Sequence, residues 1–151
     1  MKTRITLASV IAAAFFLSHA LPAFEDQTGF ECFRFCLGIL LEPSGAAPLG
    51  WMYYGGFAVS NVVFIAICAM LFTSKPVGKK YGTVMLFLSL HTISWMPLNW
   101  RNLHEIKPGY YLWLLAYLAL TFATVAYRRK PNPNQTSVPM NMAATPPAAH
   151  P

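Results

Sequence analysis

Asn61 and His91 are the polar side chains best placed for chemistry, because each stands inside an apolar run that carries no charged residue. Asn61 lies ten positions past Trp51, the outer start of one run, and His91 ten positions past Tyr81, the inner start of the next. At ~1.5 Å of helical rise per residue both sit ~15 Å deep, so antiparallel packing brings them to one level. An amide and an imidazole in hydrocarbon seek partners, and a hydrogen bond between Asn61 and His91 is the expectation. It serves either as a clasp that fixes helix register or as a proton or ligand site. Ser89, Thr92 and Ser94 place hydroxyls around His91. A haem would need a second imidazole opposite His91, and His19, His104 and His150 all lie elsewhere along the chain, so no cofactor is expected.

Two further groups have reactive residue types. Cys32 and Cys36 are four apart, where parallel side chains on a helix strain a disulfide, and neither spacing nor neighbours make a zinc or soft-metal site. Burial at an interface is the reading for both, and Cys68 is expected to act as a small apolar residue. Arg101, His104, Glu105 and Lys107 form the charged cluster of the segment 99–108. His104 and Glu105 are types a hydrolase uses, but neighbours in sequence are not expected to face one another, and no Ser or Cys nucleophile adjoins them. No catalytic, cofactor-binding or metal-binding residue is assigned.

The elements that hold these residues are apolar runs. Residues 51–73, 81–98 and 109–127 are each long enough to cross a ~30 Å hydrocarbon core, and short connections at 74–80 and 99–108 make them antiparallel neighbours. Residues 1–24 combine Lys2 and Arg4, an apolar stretch and a small-residue site near Ser18 to Ala23, which fits a cleaved signal peptide or a fourth, retained helix equally well. In 25–50, Phe30, Phe33, Leu37, Leu40 and Leu41 recur at helical spacing, so a short amphipathic helix resting on the membrane surface is expected before a Pro/Gly-rich loop. Residues 128–151, rich in Pro, Asn, Ala and Thr, are expected to be disordered. The fold class expected is therefore all-α, a polytopic helical membrane protein.

Composition agrees, since 11% charged residues among 151 cannot cover a water-facing surface that ordinarily carries about 25%. The net charge of +6 does not indicate nucleic acid, because the basic residues cap apolar runs instead of forming a patch. Lys2, Arg4, Lys75, Lys79, Lys80, Arg128, Arg129 and Lys130 fall on one side, against Arg34, Arg101 and Lys107 with all five acidic residues on the other. That bias places the first side and the C-terminus in the cytoplasm, as in a multi-pass protein of a bacterial inner membrane. All four tryptophans then mark the outer side. They suit an anchoring belt, or a docking surface of Trp95, Trp100, Arg101, His104 and Glu105 with Glu42 of the acidic segment. The functional expectation is a non-enzymatic accessory or immunity-type interaction protein, partnered by lipid and by another protein or a second copy on the outer side. The competing expectation is a small transporter or redox component using Asn61 and His91.

Overall fold

The structure is a computed structural model that describes residues 2–42, 47–73 and 77–127. The expected loops at 42–50 and 74–80 lie partly, and the expected tail at 128–151 wholly, outside the described residues. The order of elements is α1 (Lys2–Ala20), β1 (Pro22–Phe24), β2 (Gln27–Thr28), α2 (Gly29–Leu41), α3 (Pro48–Phe72), α4 (Lys79–Leu98), a 3-10 helix (Trp100–Glu105) and α5 (Pro108–Ala126).

Three helices, α1, α3 and α5, are long and apolar enough to cross a membrane. Two of them match the sequence expectation. The third differs: α4 was expected as a span and has the length, at 20 residues, but it is not among the three. Lys79, Lys80, Ser89, His91, Thr92 and Ser94 dilute its apolar content. The N-terminal segment takes its place, and it is built into the core. Ala8, Ile11, Phe15 and Ser18 of α1 are buried, Phe15 stacks on Phe64 of α3 with ring centroids 4.2 Å apart, and Cys68 Sγ points at Ala8 O at 3.8 Å.

Hydrogen bonds between side chains and from side chains to backbone fix the registers of α3, α4 and α5. Tyr117 Oη donates to Ser60 Oγ at 3.1 Å, and Trp113 Nε1 to Asn61 Oδ1 at 2.9 Å. Between α4 and α5, Ser89 and Thr121 share a 2.9 Å hydroxyl contact and Tyr110 Oη donates to Thr92 O at 2.7 Å. Such bonds are the usual glue where apolar surroundings give packing alone little selectivity.

One end of the bundle gathers the C-termini of α1 and α4, the N-termini of α3 and α5, and the short hairpin. That hairpin was not foreseen. β1 and β2 pair through a turn at Glu25 and Asp26, with Glu25 at φ 51°, and Phe24 bridges Ile106. Glu25 N–H donates to Glu105 O at 2.9 Å and Lys107 N–H to Ala23 O at 3.0 Å, so the hairpin is stitched to the segment before α5. Backbones approach closely here: a Cβ on Gly29 would lie 2.5 Å from Ser18 O, and one on Gly109 2.5 Å from Pro22 O. Only glycine fits either place.

α2 begins with a capping box. Glu31 N–H donates to Thr28 Oγ1 at 3.3 Å while Glu31 Oε2 accepts from the Thr28 N–H at 2.7 Å and hydroxyl at 2.8 Å, which satisfies the first turn. The helix lies where periodicity expects it, but it does not stand apart. It folds back along the first turns of α3, with Leu40 against Gly55, Trp51 Nε1 donating to Leu40 O at 3.2 Å and Phe35 edge-on to Tyr54 at 5.8 Å.

Candidate functional site

Because α2 is pinned to the hairpin at one end and to α3 at the other, it leaves a space between itself and the helix ends. The result is a cavity of about 430 Å³. Ser18 and His19 close it from α1, Glu25 and Gln27 from the hairpin, Cys32, Phe33 and Cys36 from α2, and Asn99 and Asn102 from the segment after α4. One wall is aromatic and continuous. Phe24 meets Trp95 edge-on at 5.0 Å, Trp95 lies 5.8 Å from Tyr110, Tyr110 is 5.8 Å from Trp113, and Trp113 is 5.8 Å from Phe57. Asn61 lies at the deep end of that wall, its amide oxygen taking the Trp113 indole N–H and its amide nitrogen donating to Phe57 O at 2.9 Å.

The two nearby cysteines are free thiols facing this space. Burial pushes the Cys36 thiol up to about 12. Cys32 is also raised, first by burial and further by the charges of Glu31 and Glu25. Both are therefore protonated at neutral pH and weak nucleophiles. Cys68 is buried inside α3, as expected. Among the described residues no group of three or more His, Cys, Asp and Glu is placed to hold a metal.

Asn61 and His91 are not joined. Asn61 spends its amide on Trp113 and Phe57, while His91 Nε2 is buried without a hydrogen-bond partner. The His91 ring packs instead on Phe57 at 4.5 Å and Tyr53 at 5.1 Å, over Gly56. Gly56 precedes Asn61 by five positions, about 7.5 Å of helical rise, so the two polar groups sit more than a turn apart. Equal counting from the run ends failed because His91 lies seven residues before the end of α4 at Leu98, level with Gly56 eight residues past the start of α3 at Pro48, whereas Asn61 lies thirteen past that start.

The residues expected on the outer surface divide. Trp95 turns inward and lines the cavity. Trp100 remains 65% exposed, with the Arg101 guanidinium 5.5 Å from its ring centroid. His104 and Glu105, which were not expected to face one another, do so: Nε2 lies 2.8 Å from Oε1, because the segment is an irregular 3-10 helix with Asn102 off helical geometry. Glu42 ends α2, bonds Gly38 O through its backbone N–H, and makes no hydrogen bond or ion pair to this patch among the described residues.

Sequence reasoning missed the cavity and with it His19, Gln27, Cys32, Cys36, Asn99 and Asn102 as neighbours. The one legible signal was the concentration of Trp and Tyr at one end of the chain's apolar runs. No family model, curated protein or solved structure matches the chain.

Proposed function

We propose that this chain is a multi-pass membrane protein whose outer end binds a small amphipathic molecule, without catalysing a reaction on it. The observation that carries the reading is the cavity under α2, whose volume falls in the ~300–1,000 Å³ range of small-molecule sites and whose wall is aromatic with a few polar tips. Two protonated thiols and an Asn already bonded to Trp113 offer contacts but no activated nucleophile.

Membrane placement is supported by the three apolar helices and by exposed large side chains such as Val62, Phe87, Leu90 and Phe122, which lipid covers at no cost and water does not. In this placement α1 is a retained first span, α4 crosses beside α5, the cavity opens on the non-cytoplasmic side and the C-terminus is cytoplasmic. The positive bias of Lys2, Arg4, Lys79 and Lys80 at the opposite end supports that orientation.

The test uses the purified full chain in a nonionic maltoside and the neutral fluorophore N-phenyl-1-naphthylamine. Fluorescence above that of empty micelles, saturable and lost in Cys36→Trp with helix content unchanged, is the expected result. Equal signal from wild type and Cys36→Trp removes the reading.

A second reading, an accessory or immunity-type docking protein, is favoured by the exposed Trp100 with Arg101 over it. Its mark is a copurifying protein present with wild type and with Glu42→Lys but lost in Trp100→Ala. A transporter or redox component using Asn61 and His91 together gains no such support, since only Asn61 reaches the cavity.

A further inference from the structure

The charge of the cavity selects among amphiphiles. Its lining includes one carboxylate residue, Glu25, and no Lys or Arg, although Arg34, Arg101 and Lys107 belong to the same end of the molecule. Glu25 is held at a fixed corner: its φ is 51°, its N–H is bonded to Glu105 O at 2.9 Å, and the adjoining Phe24 starts the aromatic wall. The field of its carboxylate reaches Cys32 of α2, whose Sγ lies 3.8 Å from Gln27 Oε1 of the same hairpin, and contributes to raising that thiol. From Phe24 inward, Trp95, Tyr110, Trp113 and Phe57 follow at centroid separations of 5.0 to 5.8 Å. Aromatic rings flanked by one carboxylate, with no lining Lys or Arg, are the chemistry that recognises an organic ammonium group. An anionic head would meet Glu25 with no lining Lys or Arg to offset it, and a neutral head would leave the carboxylate unused.

We propose, resting on the cavity reading above, that the ligand is a cationic amphiphile, an alkylammonium whose head sits against Glu25 and the Phe24–Trp95 rings while its apolar tail runs along Tyr110 and Trp113 toward Phe57. The carboxylate supplies preference for charge and the rings supply both affinity for the head and cover for the tail.

The test is calorimetric titration of the full chain in a nonionic maltoside with octyltrimethylammonium, 1-octanol and octanesulfonate, each corrected for empty micelles. The cation is expected to bind roughly five- to tenfold more tightly than the alcohol, with the sulfonate weakest. Glu25→Gln, at an exposed turn that tolerates an isosteric change, is expected to abolish the preference while leaving alcohol binding in place. If the alcohol binds as well as the cation, if the sulfonate binds best, or if Glu25→Gln keeps the preference, the cationic-ligand inference is overturned while the cavity reading stands. If none of the three binds above empty micelles, the cavity reading fails and this inference with it.

Discussion

The indole N–H of Trp113 donates to Asn61 Oδ1 at 2.9 Å, and this bond ties α5 to α3 at the deep end of the cavity. Asn61 thereby does for Trp113 what it was expected to do for His91. Asn61→Leu leaves the indole N–H unpaired and is expected to cost ~0.6 kcal/mol, the average for hydrogen bonds within membranes, and at most ~1.7 kcal/mol. Reversible unfolding in mixed micelles measures it. A loss far above that range would mean that Asn61 holds more than the Trp113 bond.

His91 and Gly56 form a second interlock. A Cβ on Gly56 would stand 2.9 Å from His91 Nε2, so Gly56→Ala drives the imidazole from its place between Tyr53 and Phe57. Overpacking of this kind costs about 1–3 kcal/mol. Combining it with His91→Ala is expected to recover most of that loss, since the ring is what the new methyl meets. Strictly additive losses in the double variant would show that the strain lies in the backbone instead.

How far these contacts were legible follows from their separation along the chain. The helices α2, α3 and α5 follow from spacing and hydropathy of neighbours, and the outer Trp cluster from their order. The cavity does not, because it depends on a hairpin whose turn residue, Glu25, adopts positive φ without being glycine and whose partner strand segment lies eighty positions on, at Glu105 and Ile106. For α1 the same residues fit a cleavable leader and a bundle helix. The packing of Phe15 on Phe64, some fifty positions away, is legible in neither reading.

Retention of α1 is directly measurable. Intact-mass analysis of the membrane-extracted protein is expected to include residues 2–24, because removing them strips Phe64 and Tyr117 of Phe15, and Gly29 and Gly109 of the chain they pack against. A mature N-terminus between Ala20 and Glu25 contradicts this.

The capping box governs α2, the roof of the cavity. Thr28→Ala is expected to weaken that helix by ~1 kcal/mol, seen as faster amide exchange over Gly29–Leu41 with the spans unaffected. The Glu31 carboxyl is held below its ordinary value, first by the Thr28 backbone N–H and then by its hydroxyl. A depressed carboxyl contributes stability that is present above its unfolded-state value and is lost as pH falls through the lower folded one. Protection of α2 should therefore fall in acid below the usual carboxylate range in wild type, and this step should be absent in Glu31→Gln. An identical acid profile in both would assign the transition to another group.

The occupancy of the cavity itself is read by photo-crosslinking the full chain in nonionic micelles with a diazirine-bearing alkyl amphiphile, then mapping the adducts by mass spectrometry. Adducts are expected to concentrate on the cavity lining, at Cys32 to Cys36 of α2 and at Phe57, Trp95, Tyr110 and Trp113, and to be suppressed by excess unlabelled amphiphile or by Cys36→Trp. Adducts spread over Val62, Phe87, Leu90 and Phe122, unchanged by competitor and by Cys36→Trp, would show an apolar surface coated by amphiphile with no binding site beneath α2, and would contradict it.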